Sequence, residues 1–142
     1  MNRPAISVRF SFCVCLALLT SGCQKTGKLS TEQMARFEKE GILRRADDLT
    51  FRRTISAGQS WDEKRASIVV THESVFPHVN AKPLVEITPR STGSYEVHRD
   101  HDRLSLHAGS GKSAASWSFR PPDDADGWAV DIRAVIKRSK SR

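Results

Sequence analysis

The feature that most constrains the fold is an alternation of apolar and polar side chains that recurs between residues 49 and 119. In LTFRRTI, Leu49, Phe51 and Ile55 lie on one side of an extended chain, because successive side chains of a strand point to opposite faces. Short segments of this kind with turn residues between them predict an antiparallel sheet with one solvated face. The predicted strands are 49–55, 66–72, 74–80, 83–88, 94–99, 103–108 and 114–119.

A short helix is predicted before the strands, over residues 31–40. Ser30 suits the N-cap, and Gln33 completes a capping box with it. Gly41 suits the C-terminal stop of the helix. Because the helix is short and mostly charged, it needs to dock on another part of the chain to be stable.

A second helix is predicted after the strands, in PPDDADGWAVDIRAVIKR. Trp128, Ile132 and Ile136 recur every four residues, which places them on one apolar stripe. We expect these three structural residues to pack the helix over an open end or face of the sheet. The predicted fold class is therefore α+β: a small antiparallel β-barrel or sandwich of about seven strands, with a C-terminal packing helix and a short N-terminal helix.

This order of elements, seven strands followed by one helix with an inward-facing tryptophan, resembles a pleckstrin-homology-like barrel. Trp128 falls where that family places its helix tryptophan. The resemblance covers residues 49–138 and implies a partly open barrel whose loops bind ligands or partners. The family's phosphoinositide-binding pattern has no match in SAGQSWDEKR, residues 56–65, so no headgroup-binding residues are assigned. Another small β-sandwich with a packed helix stays open.

The N-terminus has the order of a secretory signal peptide, with Arg3 and Arg9 before an apolar run and small residues after it. The apolar run, residues 10–19, is shorter than the roughly 20 apolar residues of a membrane span. LTSGC resembles the lipobox of bacterial lipoproteins. The resemblance implies cleavage before Cys23 and lipidation of that cysteine. Gln24, which is not aspartate, favours the outer membrane, and the periplasmic face is slightly preferred over the outside.

Cleavage and lipidation at Cys23 decide which cysteines the mature chain keeps and how the chain divides into parts. The other cysteines, Cys13 and Cys15, leave with the signal peptide, so the mature chain has no free thiol and no disulfide. Its 120 residues suit one domain. The predicted parts are a signal peptide at 1–22, a lipidated tether at 23–29, the N-terminal helix and a connection at 30–48, the barrel-like domain with its C-terminal helix at 49–138, and a solvated basic tail at 139–142.

Charge indicates the class of partner. Once Arg3 and Arg9 are removed with the signal peptide, 21 basic residues face 16 acidic ones, a net charge of +5. A basic surface favours anionic partners such as lipid headgroups, polysaccharide or nucleic acid, and the alternative is that the charge only aids solubility. Secretion argues against a nucleic acid as the partner, and no motif in the sequence indicates a cofactor.

Two groups of residues are candidate sites. His98 and His107 lie on consecutive predicted strands, and with Asp100 nearby they suit a surface metal site. The alternative for this hairpin is a solvated turn without metal.

The second candidate is an interface at Trp61, Lys64 and Arg65, in a stretch predicted as a loop. An indole beside two cations suits a lipid interface or a glycan. The indole folding back onto the core is the alternative.

The predicted function is non-catalytic, because no local pattern links a nucleophile to a base and a residue that orients it. We expect an outer-membrane lipoprotein, anchored in the membrane through its N-terminal lipid, that binds a protein partner or an anionic envelope component close to the membrane. The alternative is a ligand- or metal-binding envelope protein that uses the histidine hairpin. A third hypothesis is a hydrolase whose site is assembled from distant loops.

Overall fold

One seven-stranded antiparallel sheet and two helices form the described part of the chain, residues 28–141 of a computed structural model. This architecture confirms the predicted α+β class. In chain order the elements are α1 (Thr31–Glu40), β1 (Ile42–Ile55), β2 (Ser60–Thr71), β3 (Val75–Val79), β4 (Lys82–Pro83), β5 (Tyr95–Asp100), β6 (Arg103–Ala108), a 3-10 turn (Gly111–Ser113), β7 (Ala115–Phe119) and α2 (Ala125–Ser139).

The strands lie side by side in the order β4-β3-β2-β1-β7-β6-β5. The longest strand, β1, is central and pairs with β2 on one side and with β7 on the other. Two edges remain within the described residues: β4, which pairs only with β3, and β5, which pairs only with β6. The two edges of the sheet are therefore β4 and β5, the first and last strands in this order.

The main core lies on the face of the sheet that α2 covers, which we call the inner face. Trp128, Ile132 and Ile136 of α2 are 1%, 0% and 6% exposed and belong to this core. The Trp128 ring meets that of Phe119 edge to face, 6.2 Å between centroids. Its indole Nε1 donates to the Asp123 carboxylate at 3.1 Å. Burying each large apolar side chain contributes about 1.5–3 kcal/mol, so α2 is a principal source of stability.

Helix α1 packs on the opposite, outer face. Its bounds match the predicted helix, and both hydrogen bonds of the capping box between Ser30 and Gln33 are present. Phe37 is fully buried and packs with Val69 and Phe76 in a second, smaller cluster. The Phe37 and Phe76 ring centroids are 5.2 Å apart. The docking that this short helix requires is therefore supplied by β2 and β3.

Four sequence-based boundaries were wrong. Strand β2 begins at Ser60 and not at residue 66. Strand β1 begins at Ile42, so most of the predicted connection is strand; its alternation is hidden by charges such as Arg44, which bonds Asp131 of α2 at 2.7 Å. Of the predicted strand 83–88, only Pro83, in the two-residue strand Lys82–Pro83, and Ile87, in one isolated bridge, pair with β3. Helix α2 extends to a buried Ser139, so the basic tail is shorter than predicted.

Candidate functional site

The predicted lipid anchor, Cys23, and the signal peptide before it lie outside the described residues. Within residues 28–141, neither helix has the length and apolar character needed to cross a bilayer. The lipobox therefore stays a prediction from the sequence.

The histidine hairpin brings two imidazoles together on the outer face of β5 and β6. The rings of His98 and His107 meet edge to face, with centroids 4.7 Å apart. Glu96 lies directly across from His107, and its carboxylate is 3.1 Å from His98 Nε2. Burial lowers the pKa of His107, His98 lowers it further, and Glu96 opposes the shift. The neutral form of His107, which can bind metal or accept a proton, is thus favoured.

Asp100, the third predicted metal ligand, is engaged elsewhere. Its carboxylate contacts His101 Nδ1 at 2.9 Å. Across the described chain, no group of three or more His, Cys, Asp or Glu side chains is arranged to hold a metal ion. A polar cavity of about 410 Å³ lies beside His107, with Glu96, Thr54 and Ser116 also in its wall.

A groove of about 370 Å³ runs between β5 and α2. One wall consists of Tyr95, Glu96, Val97 and His98. Because successive strand residues point to opposite faces, four consecutive residues can line one groove only along the edge of the strand. The groove therefore exposes the outer edge of β5, where no other described strand pairs.

The opposite wall of the groove is basic. Arg133, Lys137 and Lys140 line it at intervals of four and three residues, so they form one stripe on α2. All three are exposed, and none makes a salt bridge to a described residue. Ile136 of α2 also lines the groove and adds an apolar side chain to this wall. The groove thus combines an unpaired strand edge, apolar side chains and three cations without a salt bridge to a described residue, opposite the one carboxylate of Glu96.

Trp61 lies in β2 and not in a loop, which corrects the prediction for that stretch. The turn before it is shorter than predicted, because β1 and β2 pair as far as Thr54 and Ser60. Trp61 is 39% exposed, and its Nε1 donates to Glu63 at 2.8 Å.

Lys64 and Arg65, the other predicted interface residues, are exposed on the same strand, where the pairing of β1 and β2 is irregular and Arg65 has a φ of 54°. The cation that stacks on Trp61 is instead Arg53.

Arg53 lies between two indoles at this end of the sheet. Its guanidinium carbon is 4.9 Å from the ring centroid of Trp61 and 5.6 Å from that of Trp117. The Nε atom of Arg53 and the Nε1 atom of Trp117 are both buried and have no hydrogen-bond partner. Each unpaired buried donor costs about 1–3 kcal/mol. Sequence reasoning missed this cluster, because the strand register that assembles it is not visible in a local pattern.

The groove was also missed, although part of its signal was present in the sequence. Lys140 lies in the stretch predicted as a solvated basic tail, and Lys137 lies near the end of the predicted second helix. Their spacing with Arg133 on one helical stripe is readable from the sequence. The partner wall at β5 is not, because it depends on the tertiary packing of α2.

Comparison with known proteins adds no family assignment. No protein-family model matches the chain, and no curated protein matches it either.

Proposed function

We propose that this protein is a non-catalytic outer-membrane lipoprotein that binds an extended, acidic segment of a protein partner in the groove between β5 and α2. One observation carries the proposal. The unpaired edge of β5 faces a stripe of three exposed cations without salt-bridge partners, Arg133, Lys137 and Lys140.

The binding mode is the addition of a strand to the sheet. An extended peptide pairs its backbone with the free edge of β5, and each hydrogen bond contributes about 0.5–1.5 kcal/mol. Alternate side chains of the peptide then point toward α2, where acidic residues meet Lys137 and Arg133 and apolar residues meet Ile136. The backbone bonds supply affinity, and the charges supply selectivity and a faster association rate.

Photo-crosslinking in cells tests this site. A photoreactive amino acid is placed at His98 or at Lys140, one on each wall of the groove, with exposed Lys112 as the matched control position. We expect both groove positions to crosslink the same acidic segment of one partner, and Lys112 to give no such product. Crosslinks that are equal from all three positions, or that map to a segment without acidic residues, would contradict the proposal.

The crosslinked segment is then synthesised to test the added strand. Methylation of alternate backbone nitrogens on the edge that faces β5 removes donors without changing side chains. We expect the methylated peptide to bind at least about tenfold more weakly than its unmethylated match, since several hydrogen bonds are lost. Equal affinities would show that the segment does not pair with β5.

The anchor has its own test, because it rests on the lipobox resemblance at Cys23. Cys23→Ser removes the sulfur that carries the lipid. We expect the variant to leave the outer-membrane fraction, whereas Cys13→Ser is expected to stay there. Complete retention of Cys23→Ser would contradict the lipid anchor and leave the groove proposal standing.

The alternative, a ligand- or metal-binding hairpin, is supported by the 4.7 Å contact between His98 and His107. Zinc, nickel and copper are added separately to the chain while the melting temperature is followed. A metal-dependent rise that is lost in His107→Gln would support this alternative. No shift with any of the three metals would remove it.

A further inference from the structure

An arginine interrupts the inner face of the sheet near the β1–β2 turn. One cross-strand row passes through direct register pairs from Val97 to Leu106, Trp117, Arg53 and Trp61. The first three side chains are apolar or aromatic and at most 7% exposed. Arg53 itself is half-buried, and within residues 28–141 its buried Nε has no hydrogen-bond partner. A buried donor without a partner is unfavourable.

The unpaired donors of this row belong to neighbouring residues. Arg53 and Trp117 are directly opposite each other on β1 and β7. The buried Nε of Arg53 and the buried Nε1 of Trp117 can donate but cannot accept hydrogen bonds. A group that satisfies both donors is therefore a hydrogen-bond acceptor. The positive charge of the guanidinium favours an anionic oxygen as that acceptor.

The surrounding side chains restrict the ligand further. Trp61 is 39% exposed, so part of its ring is free to contact an apolar face of a ligand. Glu63 lies next to it on the same face of β2 and accepts from Trp61 Nε1. Its carboxylate repels a ligand with many negative charges and accepts hydrogen bonds from hydroxyl groups.

We propose that this end of the inner face binds an acidic sugar of the uronic acid type, with one carboxylate and several hydroxyl groups. The carboxylate accepts from Arg53 and Trp117, a C–H face of the sugar lies on Trp61, and a hydroxyl donates to Glu63. Because the two unpaired atoms are shielded, Trp61 moves off the guanidinium to admit the carboxylate. This site is separate from the β5–α2 groove and does not depend on it.

The full chain, purified in detergent, is titrated with cellobiouronic acid and with cellobiose as the neutral match, by calorimetry and tryptophan fluorescence. We expect saturable binding of the acid that is at least about tenfold tighter than that of cellobiose, because charge-assisted hydrogen bonds are the strong ones. Arg53→Gln is expected to weaken binding of the acid by a similar factor. Arg52→Gln removes the same charge from the opposite face and is expected to leave binding unchanged.

Any of three results would overturn the proposal. The acid shows no saturable binding, the acid and cellobiose bind equally, or Arg53→Gln binds the acid as well as the unaltered chain. If Arg53→Gln fails to fold, Trp61→Leu, at a partly exposed position, replaces it, and unchanged binding there is equally contradictory. An acidic peptide that binds through Arg53 while the acid does not would also overturn the sugar. Lys137→Glu is expected to leave sugar binding unchanged.

Discussion

The two edges of the sheet are built in different ways. The β4 edge is two residues long and contains Pro83, which has no N–H to donate. Helix α1 lies beside this edge, and Gln33 Nε2 donates to the Ala81 carbonyl in the β3–β4 turn at 3.1 Å. The β5 edge is six residues long, has no proline and lines an open groove. We refer to β3, β4 and α1 as the β4 side, and to β5, β6 and α2 as the β5 side.

The difference shows how an open edge is tolerated. Short length and proline prevent pairing at β4. At β5, the residues Glu96, His98, Arg99 and Asp100 are exposed and carry mixed charges, which discourages pairing between copies of the chain. An edge protected by charge stays available to a segment of complementary charge, whereas an edge protected by proline does not.

The largest effect is expected from removing the aromatic residue that holds each helix. Trp128→Ala should lower the free energy of unfolding by about 4–5 kcal/mol, and Phe37→Ala by about 3 kcal/mol. Trp128 belongs to the main core and also donates to Asp123, whereas Phe37 belongs to a small cluster that can relax around the cavity. Urea denaturation measures both values. A larger loss in Phe37→Ala would contradict the assignment of the principal core to the inner face, which α2 covers.

A charge reversal on each side tests the binding edge. Lys137→Glu should weaken the binding of the crosslinked acidic peptide at least about tenfold, or about 1.4 kcal/mol. The substitution replaces attraction in the groove with repulsion. Lys82→Glu, an exposed residue of β4, is expected to leave the affinity unchanged. Calorimetric titration gives both affinities. Equal losses would mean that general surface charge, and not the groove, selects the peptide.

Acid should destabilise the β4 side more than the β5 side. Burial lowers the pKa of His78 in β3, Arg45 lowers it further, and Asp47 opposes the shift. The unfolded chain therefore binds a proton first, and the free energy of unfolding falls as the pH drops below about 6.5. The slope from this one site is at most about 1.4 kcal/mol per pH unit.

Substitutions separate the contributions to this slope. His78→Leu should flatten the decrease in stability between about pH 7 and pH 5. The change from His107→Gln should be smaller, because His107 is exposed whereas His78 is 1% exposed. His101→Asn is the control, since that side chain is 93% exposed. Equal slopes in the unaltered chain and in His78→Leu would contradict the role of His78.

The smallest effects are expected from the surface ion pair on each side. Arg99 links β5 to Asp126 of α2 at 2.7 Å, and Arg36 of α1 bonds Glu86 at 2.9 Å. Asp126→Asn and Glu86→Gln should each lower the free energy of unfolding by no more than about 1 kcal/mol, because exposed pairs are screened by solvent. Thermal denaturation at low and high salt measures this. A loss above 2 kcal/mol (about twice the upper limit for an exposed pair) would show that the pair determines how its helix docks.

The parts of the fold that local chemistry encodes were predictable. The bounds of α1 follow from the cap at Ser30 and the stop at Gly41, and both are present. The strands from β5 to β7 follow from regular alternation. The start of β1 was missed, because Arg44 and Arg45 occupy consecutive positions that pair with α2 or contact α1. Their partners lie far along the chain, so no local pattern marks this strand.

The candidate sites depend on strand register and tertiary packing more than the helices and strands themselves do. The contact between His98 and His107 was anticipated, because a hairpin links their strands directly. Arg53 and Trp117 meet only because β1 pairs with β7, which is distant in sequence. The groove likewise requires α2 to lie along the edge of β5. Long-range pairings of this kind are set by the whole core and not by any segment.

The joint at Gly41 has a mechanical consequence. One residue separates α1 from β1, its φ is +79°, and a Cβ there would be 2.8 Å from His72 Cδ2. With so short a joint, α1 has little freedom to swing relative to β1. If the chain is anchored through Cys23, a pull on the anchor passes through α1 into the start of the central strand, which pairs there with β2 alone. The load therefore enters the β1–β2 ladder first and reaches the β1–β7 ladder only from Arg52 onward, while the β5 edge and its groove lie off the direct path of the force.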